Sequence, residues 1–199
     1  MRRTKEEAAE TRRQILRSAE DEFLARGYEN TKLEDIATAV GVTRGAVHWH
    51  FKNKQGLLYA LRDEAKRPFM ELAERLAEED TGQPLDALGD VICGVFTRLS
   101  TDPRQRGMLQ VMFRLDATPV SGPSADPFRQ ALLDAMTKVL EIAEQRQGLP
   151  APWTAKAASA AMRGIIEGLL LEWSRGELAF ELLPYGQAVV RTILTSWKI

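Results

Sequence analysis

Residues 43–54 of this 199-residue chain, TRGAVHWHFKNK, contain most of the side chains suited to binding a charged polymer. Arg44 can form two parallel hydrogen bonds with the edge of a guanine. Gly45 has no side chain and would let its backbone approach a duplex closely. The remaining polar and aromatic side chains supply donors and a flat ring suited to phosphates: His48, Trp49, His50, Lys52 and Lys54. This combination predicts DNA recognition.

Two short helices are expected to position this stretch. Thr31 and Glu34 have the spacing of a capping box at the start of the first helix. Gly41 ends that helix, because glycine readily adopts the left-handed conformation after a last turn. Thr43 is placed to cap the second helix. Apolar residues then fall on facing sides of the pair at helical spacing: Leu33, Ile36, Ala37, Val40, Val47 and Phe51. The pattern is that of a helix-turn-helix at about 32–51.

The segment GVTRGAVHWHFKNKQGLL resembles the DNA-reading segment of TetR-type transcriptional repressors, especially multidrug-efflux regulators of the AcrR and TtgR kind. The upstream segment TRRQILRSAEDEFLARGYENTKLEDIA extends the resemblance. The family usually has Tyr where this chain has His48, which keeps a hydrogen-bonding ring but makes its charge depend on pH. The motif and the resemblance together nominate ten DNA-binding residues: Thr11, Thr31, Lys32, Thr43, Arg44, Gly45, His48, Trp49, His50 and Lys54.

Charge and composition limit the classes of function. The net charge is −1, but residues 1–60 contain 11 Lys and Arg against 9 Asp and Glu, a local balance of +2. Affinity for DNA must therefore come from the placement of a few cations. The single cysteine, Cys93, excludes an internal disulfide and suits a reducing compartment. Because no apolar run approaches about 18 residues, we expect a cytoplasmic protein without a membrane segment.

The helical spacing of apolar residues along the whole chain predicts an all-α fold of about nine helices. Residues 1–53 are expected to form a three-helix head, and residues 54–199 a ligand-binding and dimerisation body. Pro68 lies inside the long fourth helix, where a proline removes a backbone hydrogen bond, and both a static kink and a hinge fit this position. Several residues are expected to begin helices: Thr4, Asn53, Asp102, either Pro152 or Thr154, and Pro184.

Two further sites follow from the body. The resemblance implies a small apolar or aromatic inducer, and flexible methionines with aromatic rings suit loosely specified ligands. The candidate ligand residues are Phe69, Cys93, Phe96, Met108, Met112, Phe113, Arg114 and Asp116. A smooth stripe at four-residue spacing and the apolar last helix favour homodimerisation. The candidate interface residues are Ala160, Gly164, Gly168, Ile193 and Trp197.

Other kinds of site are poorly supported. His48 and His50 lie about 200° apart on a helix, from its 3.6 residues per turn, and cannot share a metal ion. No phosphate-binding glycine loop or nucleophile motif points to an enzyme, and no cofactor is implied. The sequence favours an inducible repressor of an efflux operon acting on a palindromic operator. The competing interpretations are a small-molecule-binding or catalytic protein with a vestigial head, and a structural helical adaptor.

Overall fold

The computed structural model describes residues 5–78, 82–116, 127–176 and 180–198, without the side chains of 64–65, 114–116 and 127–129. Nine α-helices account for most of the regular structure of these residues, and a short kinked segment, Leu182–Gly186, leads into the last of them. No strand occurs among the described residues. The predicted all-α class is therefore confirmed. The helices are α1 Lys5–Arg26, α2 Leu33–Ala39, α3 Arg44–Phe51, α4 Lys54–Glu78, α5 Pro84–Thr101, α6 Pro103–Asp116, α7 Pro127–Gln147, α8 Ala155–Arg175 and α9 Gln187–Ser196.

Most of the predicted helix starts are confirmed by side-chain caps. Thr43 Oγ1 accepts from the Ala46 amide at 3.1 Å, and Asn53 Oδ1 accepts from the Gly56 amide at 2.8 Å. Asp102 likewise caps α6, and Thr154 rather than Pro152 caps α8. These local contacts satisfy amides that have no partner in the first helical turn. Thr4 lies outside the described residues.

One predicted helix start, that of α2, is wrong, whereas the predicted start of the last helix is confirmed. The residue before α2 is Lys32, which makes no side-chain cap, while the Thr31 hydroxyl donates to the carbonyl of Gly27 at 2.8 Å. Thr31 is 2% exposed. Its buried hydroxyl therefore bonds to the main chain just after α1 and does not cap α2. At the last helix, Leu183 is extended (φ −117°, ψ 120°), and the helical backbone that leads into α9 begins after it, at the predicted Pro184. A residue that precedes proline is biased toward this extended geometry.

The chain divides into two compact units. The first unit is Met1–Ala65 with Gly107–Thr118, and the second is Lys66–Arg106 with Pro119–Ile199. Within the first unit, Gly107 brings α6 close to Leu24 of α1, where an added Cβ would lie 2.6 Å from a Leu24 methyl. The buried core of this unit comprises Ile15, Leu16, Ala19, Phe23, Ile36, Ala37, Val47, Phe51, Leu57, Leu58, Ala60 and Met108.

The second unit is built on two helix pairs. Helices α7 and α8 pack along their length, and the hydroxyl of half-buried Thr137 donates to that of buried Ser159 at 2.9 Å, which bridges them. Helices α5 and α9 form the other pair, in which Lys198 Nζ lies 2.7 Å from the Asp86 carboxylate. Phe96 of α5 is fully buried beside Gly186, where a Cβ would come within 3.2 Å of its ring.

Candidate nucleic-acid interface

Helix α3 is fixed by its apolar side. Val47 and Phe51 are buried in the core of the first unit, against which α2 also packs with Ile36 and Ala37. The guanidinium of Arg12 lies 5.1 Å from the centre of the Phe51 ring, on the α1 side. Because both buried side chains of α3 point inward, its opposite side faces solvent. The predicted helix-turn-helix geometry is therefore present.

The exposed side of α3 presents a continuous polar and aromatic surface. We call it the α3 face, and it consists of Thr43, Arg44, Gly45, His48, Trp49 and Lys52. Trp49 is 73% exposed, the largest exposure among the large hydrophobic side chains identified on the described surface. Its ring meets the half-buried His50 ring edge-on at 4.6 Å. An exposed aromatic ring among cations is suited to a partner that offers both phosphates and apolar base surfaces.

Two glycines near this face differ in what the fold requires. A Cβ added to Gly45 would come no closer than 3.7 Å to another atom, Thr43 Oγ1. Packing within the chain therefore does not explain the glycine, whereas close approach of an external backbone would. A Cβ added to Gly56 would lie 2.0 Å from the Phe51 carbonyl oxygen. Gly56 is thus required by the contact between the end of α3 and the start of α4.

The corner between α3 and α4 is a strained turn. Lys52 has φ 62° and ψ −52°, and the Asn53 amide donates to the Phe51 carbonyl at 2.7 Å. This is a γ-turn of the rare positive-φ form, which is strained for a residue other than glycine. Strained residues of this kind cluster at functional positions. Here the turn leaves the Lys52 side chain exposed beside the last turn of α3.

Lys54 lies at the same corner but is turned into the protein. Its Nζ donates to the carbonyls of Tyr28 (2.6 Å), Thr31 (3.1 Å) and Glu29 (3.2 Å). It also lies 4.4 Å from the centre of the Tyr28 ring. A lysine has three N–H donors, so all of them are used within the chain. Lys54 therefore links the start of α4 to the connection between α1 and α2. It could bind a DNA phosphate only by giving up one of these hydrogen bonds.

The other predicted DNA-binding residues are divided between surface and interior. Lys32 is exposed at the start of α2. Thr11 is buried, and its hydroxyl donates to the Glu7 carbonyl one turn earlier at 2.8 Å. Thr31 is buried as described above. The structure thus brings together the predicted residues of α3, whereas the hydroxyls of Thr11 and Thr31 are directed at main-chain carbonyls.

One contact of this face has no counterpart in the sequence analysis. Arg44 Nη1 lies 3.0 Å from the Glu34 carboxylate, which projects from the first turn of α2. Both side chains are exposed, by 69% and 53%. Because the two residues are ten positions apart on different helices, their pairing depends on how α2 and α3 cross. Sequence spacing by itself does not reveal it.

Comparison with known proteins identifies the family. The profile for "Bacterial regulatory proteins, tetR family" matches residues 15–61, which run from α1 into α4. Over 202 aligned residues the chain is 34% identical to the HTH-type transcriptional repressor BepR of Brucella suis biovar 1 (strain 1330), covering 100% of this chain and 97% of BepR. This protein belongs to the TetR family of bacterial transcriptional regulators.

Other TetR-family proteins resemble the chain along most of its length. The HTH-type transcriptional regulator TtgR of Pseudomonas putida is 37% identical over 177 residues, covering 87% of this chain and 84% of TtgR. Among solved structures, the SmeT–triclosan complex has a TM-score of 0.76 at 30% identity, covering 96% of this chain and 92% of SmeT. The TetR resemblance seen in residues 11–37 and 41–58 therefore extends along most of the chain.

The predicted ligand residues of this TetR-family chain belong to both units. Phe69, Cys93 and Phe96 are buried in the second unit. Met108 is instead part of the first unit's core, and Met112 packs against that core. The third predicted residue of this stretch, Phe113, is half-buried, and the side chains of Arg114 and Asp116 lie outside the described residues. The structure thus divides the predicted set between two units.

The predicted dimer residues differ in their accessibility. Ala160, Gly164 and Gly168 lie exposed along α8, and a Cβ added to either glycine would meet nothing within 4 Å. Ile193 of α9 is half-buried. Trp197 is only 1% exposed and packs against Trp153, with ring centres 5.2 Å apart. The α8 stripe is therefore open in the single chain, whereas the Trp197 side chain belongs to its core.

Metal binding and membrane insertion find no support in the described part of the chain. Within residues 5–78, 82–116, 127–176 and 180–198, no group of three or more His, Cys, Asp or Glu side chains is arranged to hold a metal ion. Across the same ranges, none of the helices combines the length and the apolar character that crossing a membrane requires.

Proposed function

We propose that this TetR-family protein is a cytoplasmic repressor of a multidrug efflux operon. It binds a palindromic operator as a homodimer through the α3 face, and a small apolar or aromatic inducer releases it. The observation that carries the proposal is the α3 face itself. Arg44, Gly45 and Trp49 are exposed together on a helix that its apolar side holds rigidly in the first unit. A recognition helix places its first residues against base edges in the major groove.

The relatives support the regulated function. BepR is a transcriptional repressor, and the structural neighbour NalD is the secondary repressor of the MexAB-OprM multidrug efflux pump in Pseudomonas aeruginosa. NalD matches 98% of this chain with a TM-score of 0.69 and 28% identity. SmeT, the repressor of the SmeDEF multidrug efflux pump, has been solved in complex with triclosan. These regulators favour an efflux operon and a drug-like inducer for the present chain.

Selection of binding sites tests the DNA-binding part of the proposal. Wild-type protein would be used to enrich duplexes from a random library, and affinity for the enriched duplex would be compared with that for a scrambled duplex. Arg44→Ala should weaken binding to the enriched duplex by about 1–3 kcal/mol, because a bidentate guanine contact has that value. Arg26→Ala removes another exposed arginine of the first unit and serves as the matched control. If no sequence is enriched, the vestigial-head alternative replaces this proposal.

The open stripe on α8 supports the dimer. Because no atom of the described residues lies within 4 Å of a Cβ added at Gly164, a Gly164→Leu variant should fold normally but dissociate. Two-fold symmetry would place the two α3 helices about 34–36 Å apart, one turn of DNA, or a multiple of it. Analytical ultracentrifugation measures the outcome, with circular dichroism to verify folding. A wild-type protein that sediments as a monomer at micromolar concentration would contradict the dimer.

Induction requires that the ligand bind the DNA-incompetent conformation more tightly than the DNA-bound one. A coupling free energy of about 1–3 kcal/mol is typical and would weaken operator binding roughly 5- to 150-fold. A panel of apolar, aromatic and cationic drugs titrated against the preformed operator complex measures this coupling. Drugs that bind the protein without changing its operator affinity would contradict inducible repression while leaving DNA binding intact.

A further inference from the structure

The ion pair between Arg44 and Glu34 places a carboxylate on a surface that is proposed to meet DNA. The pair joins the first residue of α3 to the first turn of α2 at 3.0 Å. Exposed ion pairs contribute little to stability, so the fold does not depend on this one. The core beneath it, which includes Val47 and Ile36, already holds the two helices together. The position of Glu34 therefore calls for an explanation in terms of binding.

The same pair affects two kinds of DNA complex differently. Binding to arbitrary DNA rests on cations that neutralise phosphates and release counterions. An arginine that is already paired with a carboxylate contributes little to this attraction. A guanine edge is different, because O6 and N7 are uncharged acceptors that require two correctly oriented N–H donors. The contact with Glu34 involves only Nη1 of Arg44 and restrains the side chain without using up its five donors.

We propose that Glu34 is a specificity-determining residue that acts through Arg44. It cancels the arginine's attraction for backbone phosphates on unrelated DNA and keeps the guanidinium oriented for a guanine in the operator. Glu34 thereby lowers non-specific affinity more than operator affinity. The inference rests on the proposed function, since it presupposes that the α3 face reads DNA.

A substitution of Glu34 and a matched control separate this role from a general charge effect. Glu34→Gln removes the carboxylate but keeps the size of the side chain. Asp35→Asn removes the same charge from the same first turn of α2, but the partner of Asp35 is Arg26 at 3.4 Å, on α1. Both changes raise the net charge by one and remove a carboxylate from the first turn of α2, where the helix dipole favours negative charge. Only the first frees Arg44.

The experiment measures affinity over a range of salt concentrations for two duplexes, one enriched by wild-type protein from a random library and its scrambled counterpart. On scrambled DNA, Glu34→Gln should steepen the slope of log affinity against log salt concentration by about 0.9. Lowering the salt from 1 M to 0.1 M should therefore strengthen binding of the variant about eightfold more than it strengthens binding of the wild type. Over the same range of salt, the affinity of the variant for the enriched duplex should differ from that of the wild type by less than about threefold. Asp35→Asn should leave the ratio of the two affinities near the wild-type value.

A double variant tests whether Glu34 acts through Arg44. In the Arg44→Ala background, Glu34→Gln should have no further effect on scrambled DNA. An equal gain with and without Arg44 would show direct repulsion of phosphates and overturn the proposal. An unchanged affinity ratio in Glu34→Gln, or the same loss of specificity in Asp35→Asn, would overturn it as well. Failure of the wild type to enrich any sequence is a distinct result, because it rejects the proposed function itself and this inference with it.

Discussion

Replacement of Lys54 by methionine should destabilise the first unit. Methionine keeps most of the aliphatic stem but removes the ammonium that donates to Tyr28, Thr31 and Glu29. A hydrogen bond from a charged donor contributes about 1.5–3 kcal/mol, and the low end applies because the site is only partly buried. The bond to Glu29 is exposed and is left out of the sum. At about 1.5 kcal/mol each, the two remaining bonds sum to about 3 kcal/mol, so we expect a loss of about 2–4 kcal/mol.

Hydrogen exchange of the full-length protein, followed by mass spectrometry, reports on this unit separately. If amides in residues 5–60 exchange by opening of the unit, a loss of about 2–4 kcal/mol accelerates their exchange about 30- to 700-fold, since 1.4 kcal/mol is a factor of ten. Lys52→Met is the matched control, because it removes the neighbouring cation while keeping a non-glycine residue at the same positive φ. For Lys52→Met we expect little change in the exchange protection of residues 5–60. The slope of log DNA affinity against log salt concentration should become flatter by about one unit.

The opposite pattern would contradict the structural role of Lys54. If Lys54→Met left the protection of residues 5–60 unchanged and instead flattened the salt dependence, Lys54 would be a phosphate contact, as the sequence had suggested. The structural assignment depends on all three donors being directed at main-chain carbonyls, so it predicts a loss of stability first. Any loss of DNA affinity should then follow the unfolded fraction and disappear at lower temperature.

Three further predictions concern single positions in the fold, and a fourth concerns the coupling to drugs. Gly45→Ala should leave the thermal unfolding midpoint unchanged or raise it, because alanine is favoured in helices by up to about 1 kcal/mol, yet it should weaken operator binding. Gly56→Ala should lower that midpoint, since its Cβ would overlap the Phe51 carbonyl oxygen; equal midpoints would contradict the assignment. Burial raises the pKa of the Cys93 thiol, with only partial compensation from Arg191, so alkylation at pH 8 should be slower in the native protein than after denaturation, and equal rates would contradict this. Pro68→Ala should alter the drug-induced change in operator affinity, and identical coupling in both proteins would reject Pro68 as a hinge.

Features that depend on a few neighbouring residues were predictable from the sequence. The caps at Thr43, Asn53, Asp102 and Thr154 each satisfy amides two or three positions ahead, so their types and spacing were informative. Gly41 adopts φ +67° at the predicted turn, because the left-handed conformation is a local preference of glycine. The inward and outward sides of α3 likewise follow from helical periodicity, which depends on the residues of one helix.

Features that depend on distant partners were decided by the tertiary structure. Thr31 had the spacing of a cap, but its hydroxyl donates to the end of α1 because folding buried it there. Lys54 had the composition of a phosphate contact, but carbonyls 23–26 positions away use its donors. Trp197 was expected at a dimer interface, but its ring is covered within the chain by Trp153. The choice of partner for a polar or aromatic side chain depends on which helices are brought into contact, and that information is not contained in local spacing.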